Sequence, residues 1–291
     1  MKLLGLPAGG ILAAIYLVAM MFSVGLGLRA GQPPEKEKRS KKIGLLIRGL
    51  ILNLVLFPCA ALLLTRSLHL SDDVGFALLI VAASPGGRFA PHFTRIAGGH
   101  TAMATEETLL LAKLSVLTVP VTTKLMLGVH HLHLEELPLI LQVLVLQIVP
   151  LYAGEALARW RGETAARVEN PLRIVASVAA VAAVLAFLVE TRFRGLIMLG
   201  DRGWLAVLLV AAASVALGWL LGGASSHARR AMTISVLSRN LALALLVAGL
   251  AFPGRHVQLA VCGVWAVLGG IAFLFAEWVA HRPLQRPIRA T

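Results

Sequence analysis

Residues 74–95 read VGFALLIVAASPGGRFAPHFTR, an apolar run of membrane-spanning length with Ser84-Pro85-Gly86-Gly87-Arg88 near its middle and Pro91 shortly after. Proline removes a backbone donor, and a glycine pair lowers the cost of leaving helical geometry. Working outward, this is the third of nine apolar blocks, roughly 5–28, 43–65, 74–95, 100–127, 136–158, 171–190, 196–222, 229–252 and 256–280. Crossing about 30 Å of hydrocarbon takes about 20 residues at about 1.5 Å each. Inside lipid every backbone donor and acceptor must be paired within its own segment, so such blocks read as helices. The apolar-out, polar-in alternation of a barrel strand is absent. Of 291 residues, 58% are hydrophobic and 14% charged, with mean hydropathy +0.83; a soluble domain would carry far more surface charge. The sequence therefore predicts an all-α polytopic membrane protein of about nine transmembrane helices, one transmembrane domain over 1–291.

The net charge of +13 would point to nucleic acid in a soluble protein, but no soluble domain is present to carry it. The charges lie mainly in short connections, where lysine and arginine mark the cytoplasmic side. The one clearly solvated linker is 29–42, with Pro33, Pro34 and the run Glu35-Lys36-Glu37-Lys38-Arg39. Alternating sides from there puts Arg159, Arg161, Arg167 and Arg173, then Arg229 and Arg230, then Arg282, Arg286 and Arg289 inside. Asp72-Asp73 and the connection with His130, His131, His133, Glu135 and Glu136 fall outside; only Arg192, Arg194 and Arg202 pull the other way. The bias predicts a multi-pass protein of the cell's inner (plasma) membrane, N-terminus outside and C-terminus cytoplasmic. The apolar run after Met1-Lys2 continues to Leu28 without a cleavage site and reads as a retained helix. Cys59 and Cys262 offer neither a disulfide framework nor metal-ligand spacing, and no cofactor or metal is expected.

The eighth block is interrupted as well, by Ser235, Ser238, Arg239 and Asn240 in an otherwise Ala/Leu/Val stretch. Unwound backbone at membrane depth is tolerated only where protein buries it or a cavity lines it. Paired interruptions in the two halves of a chain point to a transporter's central binding site; the plainer reading is that these residues only kink their helices. A buried charge costs at least about 2.5–3.5 kcal/mol at the bilayer centre, so Arg239 needs a partner or a task.

Glu106, Glu107 and Lys113 lie in the fourth block, Glu106 and Lys113 on one helical face and Glu107 facing elsewhere. A carboxylate in an apolar surround can carry protons near neutral pH, which makes Glu106 and Glu107 candidates for proton coupling. The structural alternative is an ion pair with Arg88, Lys113 or Arg239. Adjacent glutamates also raise an intramembrane protease, but the arginine of a Glu-Glu-x-x-x-Arg pattern is missing, with Leu110 and Leu111 after the pair. The histidines sit together on a connection and supply no convergent site. The chain is read as no enzyme.

Four stretches together are similar to the bile acid:sodium symporter family, the chain looking like a divergent bacterial-type member. They are Met21-Phe22-Ser23-Val24-Gly25-Leu26-Gly27-Leu28, Asn53-Leu54-Val55-Leu56-Phe57-Pro58, Ala83-Ser84-Pro85-Gly86-Gly87 and Ser238-Arg239-Asn240-Leu241-Ala242-Leu243-Ala244. The resemblance implies two inverted repeats of five helices, with two broken helices crossing at midplane as the fourth of each. Breaks in blocks three and eight fit if the first family helix is missing, giving a shortened repeat over 1–128 and a second over 135–282. It also implies alternating access, helices one, five and six forming a panel against a core that holds the crossing, and amphipathic or small organic anions as substrates. The crossing-site candidates are Asn53, Ser84, Pro85, Gly86, Gly87, Arg88, Thr108, Ser235, Ser238, Arg239 and Asn240.

At the positions matching the family's two sodium sites the sequence departs. Ala90 and Pro91 stand where the family has Ser-Asn, Ser235 where it has a glutamate, and Arg239 and Asn53 where it has glutamines. Of two hydroxyls on the fourth block one matches Ala104, leaving Thr108. With the anionic ligand gone, the expectation is an organic-anion transporter without family-type sodium sites, coupled to protons or to nothing, Arg239 standing in for the cation. The alternative is a membrane protein that binds a ligand or partner on the same scaffold without transporting.

Overall fold

A computed structural model describes residues 18–26, 39–127, 144–174, 194–252 and 256–282, positions 24, 166, 169, 170 and 173 excepted. All regular structure among the described residues is helical, with no strand among them. In chain order they form α1 (Arg39–Ile51), a π-helical turn (Leu52–Leu56), α2 (Phe57–Ser67), α3 (Asp72–Ala83), α4 (Ala90–Ile96) and α5 (Thr101–Leu127). A second π-helical turn (Leu144–Ile148), α6 (Val149–Trp160), α7 (Arg194–Ile197), α8 (Gly200–Leu221), α9 (Ser226–Leu237), α10 (Leu241–Ala251) and α11 (Val257–Ala280) follow.

Prolines account for the irregularities. A proline in a helix clashes with the carbonyl four residues back and cannot donate to it, and the helix responds by widening or bending. Four residues before Pro58 is Leu54, inside the first π-turn; four before Pro150 is Leu146, inside the second. Pro120 faces Val116 in the same way, and α5 bends by 66° between Ser115 and Leu117.

Four helical segments are long and apolar enough to cross a membrane: Ile43–Ser67, Gly200–Leu221, Ser226–Ala251 and Val257–Ala280, with bent α5 making a fifth. Of the nine expected blocks, those at 5–28, 136–158 and 171–190 lie wholly or partly outside the described residues, as do the histidine connection and most of the 29–42 linker. The third block forms two short helices, α3 and α4, separated by the non-helical stretch 84–89. Leu63, Leu117, Leu125, Leu220 and Leu274 are exposed, as lipid-facing side chains are, since the bilayer solvates them.

The α9–α10 span is the centre of the molecule. In its most apolar window 89% of residues are buried, against 33–44% for the three unbroken spans. α3 packs against α11 and α10, and α9 lies among α4, α5, α8 and α11. The helix holding residues 18–23 reaches α6 through glycines, since a Cβ on Gly25 would lie 3.0 Å from the Gly154 Cα. Small residues let membrane helices approach this closely.

Candidate crossing site

The two interruptions meet. Gly87 N donates to the Ser238 carbonyl and Asn240 N to the Ser84 carbonyl, both at 3.0 Å. Each break thus supplies one donor and one acceptor to the other, so backbone groups freed by unwinding are paired inside the protein, as the interior of a membrane protein requires. Gly87 is at the contact because nothing larger fits: a Cβ there would lie 2.6 Å from the Ser238 carbonyl carbon and oxygen and 2.7 Å from the Arg239 carbonyl oxygen. Gly86 has φ +80°, the left-handed conformation that side chains resist. Asn240 caps α10, its Oδ1 accepting from Leu243 N at 3.1 Å. Trp265, at mid-block in α11, donates its indole N–H to the Arg239 carbonyl at 2.8 Å and fixes the second break from outside.

Beside the crossing lies a buried polar cluster drawn from three elements. Asn53, in the π-turn before Pro58, donates from Nδ2 to Glu107 Oε1 at 3.0 Å, Ser235 Oγ at 3.3 Å and the Gly49 carbonyl at 3.1 Å. The widened turn aims this side chain inward. Glu107 is fully buried, and its carboxylate occupies the room left by Gly49, where a Cβ would lie 2.7 Å from Glu107 Cδ. Arg239 is 2% exposed. Its guanidinium carbon lies 3.9 Å from the centroid of the Phe57 ring, a cation–π contact. Among the described residues none of its three side-chain nitrogens has a hydrogen-bond partner, and neither does Glu107 Oε2. The two opposite charges sit within electrostatic reach of each other.

The expected residues divide accordingly. Asn53, Ser235, Arg239 and Glu107 come together, while Ser84, Gly87, Ser238 and Asn240 build the backbone crossing. Ser84 Oγ and Thr108 Oγ1 bond back to their own helices, to the Ile80 and Ala104 carbonyls at 2.8 Å each. Arg88 is half-buried, its guanidinium 5.5 Å from the Phe89 ring centroid. Glu106 is half-buried on the neighbouring face of α5, so the two glutamates are not equivalent. Lys113 pairs instead with Glu155 on α6, at 3.6 Å, and Arg159 joins from the other side at 2.6 Å. Glu155, near the end of the fifth block, is not left to headgroups and water: its side chain is 12% exposed and ties α5 to α6. Gln147 adds to that seam, donating to Ser115 Oγ at 2.5 Å and to the Ala112 carbonyl.

Gly49, Phe57 and Trp265 are site residues the sequence reading missed as such. Phe57 lay within a quoted motif, and Trp265 sits in mid-block, where an indole N–H needs a protein partner. Gly49 carried no signal, because its role depends on which side chain lies opposite.

Two broken helices thus meet through their unwound backbones among apolar helices of membrane-crossing length, an arrangement that membrane carriers use for a central site. The Sodium Bile acid symporter family model matches residues 14–194, well over half of the chain, and the chain belongs to that family. It is therefore a member of a family of membrane transporters. No curated protein matches it.

Proposed function

We propose that this chain is a secondary transporter moving a small or amphipathic organic anion by alternating access, without family-type sodium sites. The observation that carries the reading is Arg239, a buried guanidinium at the crossing whose three nitrogens have no hydrogen-bond partner among the described residues. Arginine keeps its charge in proteins and presents a planar fork suited to carboxylates. Glu107 sits beside it, while Ser235 occupies the position matching the family's glutamate. Asn53 touches both. The carboxylate has moved to the facing helix, and a tethered cation replaces a dissociable one, so the local charge balance no longer needs sodium. Glu107 is then the better placed of the two glutamates to carry a coupling proton.

The near-symmetrical bonding of the two breaks supports the repeat division at 1–128 and 135–282, with the crossing at midplane. The charge asymmetry of the connections supports an inner-membrane protein with its N-terminus outside and its C-terminus cytoplasmic. A panel formed by the helices of the first, fifth and sixth blocks would work against the core, the Lys113–Glu155 pair lying on the seam between core α5 and panel α6.

The test is uptake of labelled bile acids and smaller carboxylates into proteoliposomes under a sodium gradient, a proton gradient, or neither. Uptake indifferent to sodium, and lost in Arg239→Gln while the protein still folds, is the expected result. Sodium-driven uptake would refute the absence of sodium sites, and a fully active Arg239→Gln would refute the role of Arg239. Binding without flux under every gradient would favour the non-transporting alternative.

A further inference from the structure

At the end of the bundle where α8 turns into α9 and α11 stops, rings and guanidinium groups form one continuous series. Trp219 on α8 meets Phe275 on α11 edge to face at 6.4 Å between centroids, and Phe275 meets Trp278 at 6.1 Å. Arg229 lies over Trp219 at 5.7 Å, and Arg282 lies over Trp278 at 3.7 Å. Arg230 sits behind them, 5% exposed, donating from Nη1 to the Ala97 carbonyl at 2.6 Å and from Nη2 to the Arg282 carbonyl at 3.2 Å. Its Nε has no partner among the described residues.

Arg229 and Arg282 therefore flank the ring series at its two ends, and Arg230 ties the Arg282 backbone to it from behind. Stacking on a ring covers one face of a guanidinium and leaves its N–H edges available, the geometry suited to two oxygens of a phosphate. Arg229 is further fixed by Nε donating to the Gly223 carbonyl at 2.5 Å. Trp278 is 53% exposed, and tryptophan favours the depth of the lipid headgroups. The neighbouring carboxylate, Glu277, is half-buried on α11 and forms no ion pair among the described residues. The face thus combines positive charge, planar donors and rings at the end of membrane-length helices.

We propose that this face is a binding site for an anionic phospholipid, the phosphate held between Arg229 and Arg282 and an acyl chain lying along Trp278 and Leu274, both exposed on α11. Charge complementarity selects the occupant. Phosphatidylcholine carries its own cation beside the phosphate, whereas phosphatidylglycerol presents net negative charge. The inference is independent of the crossing site and stands or falls without it.

The test uses the full chain, purified and reconstituted in phosphatidylcholine alone or mixed with phosphatidylglycerol, with co-purifying lipid counted by native mass spectrometry. Wild type is expected to retain phosphatidylglycerol selectively. Two arginines each worth about fivefold near an anionic surface predict that Arg229→Gln/Arg282→Gln retains it at least about tenfold less well. The double lysine variant keeps the charge but lacks the planar fork, so it should retain phosphatidylglycerol better than the glutamine pair and less well than wild type. Arg66→Gln/Arg202→Gln, at the opposite end of α2 and α8, should match wild type. Should the glutamine pair fail to fold, Trp278→Leu tests the same platform at an exposed position and should lose selectivity. Equal retention of the two lipids by wild type, or full retention by the lysine pair, would overturn the built site. Displacement of the lipid by a second copy of the chain, seen as a dimer in both compositions, would overturn it too.

Discussion

Gly87→Ala offers the sharpest test of the crossing. The substitution adds one methyl group, and Gly87 has no left-handed φ, so backbone strain contributes nothing. The whole effect is steric. The new Cβ would lie 2.6 Å from the Ser238 carbonyl carbon and oxygen, which are backbone atoms and cannot rotate away. The two breaks must separate, which weakens the Gly87–Ser238 and Asn240–Ser84 hydrogen bonds, both 3.0 Å. Losing two net hydrogen bonds costs about 1–3 kcal/mol, and overpacking a filled interior adds about 1–3 kcal/mol, so a loss of about 2–6 kcal/mol is expected. Tryptophan-detected thermal unfolding in lipid reports it, since Trp265 bonds to the same break. Gly269→Ala is the control. It lies inside α11 with nothing within 4 Å of a new Cβ, and should gain about 0.5–1 kcal/mol from helix propensity alone. A Gly87→Ala protein that unfolds with wild type and transports normally would refute the close approach of the two breaks.

Phe57→Leu keeps the bulk but removes the ring face under Arg239, which lies 3.9 Å away. A buried cation–π contact is worth about 2 kcal/mol, so KM for an anionic substrate should rise by about tenfold or more with Vmax little changed, and Phe57→Tyr should restore it; unchanged KM in Phe57→Leu would remove Phe57 as a positioning residue. Asn240→Ala deletes the cap on Leu243 N and should lower stability by about 1 kcal/mol, while the uncharged Asn240→Ser should retain the cap; equal melting of the two variants would show that the cap contributes nothing.

Much of the architecture was written locally. A helix in lipid needs only length and apolarity, so the spans Ile43–Ser67, Gly200–Leu221 and Val257–Ala280 fall on blocks visible in the sequence. The breaks were equally plain: proline and glycine act on their own backbone, and the non-helical stretch 84–89 follows from Pro85-Gly86-Gly87. The prolines at 58, 120 and 150 likewise set the two π-turns and the bend within their own helices. These features depend on residues no more than four positions apart, which is the reach of a helical hydrogen bond.

What the sequence left open was partnership. Glu106 and Glu107 are chemically identical neighbours, and only the 100° turn between them, together with the glycine at 49 on another helix, sends one into the cluster. Lys113 had a plausible partner seven residues away and took Glu155, 42 residues on, because α6 packs against that face of α5. Phe57 under Arg239, and Trp265 on the Arg239 carbonyl, join residues 182 and 26 positions apart. Among the described residues, the sequence determined which segments are long and apolar enough to cross and where they break, since those are properties of backbone and solvent. Which charges meet was decided by the tertiary structure, because a buried charge is stabilised by the side chains that packing brings beside it, and these come from remote parts of the chain.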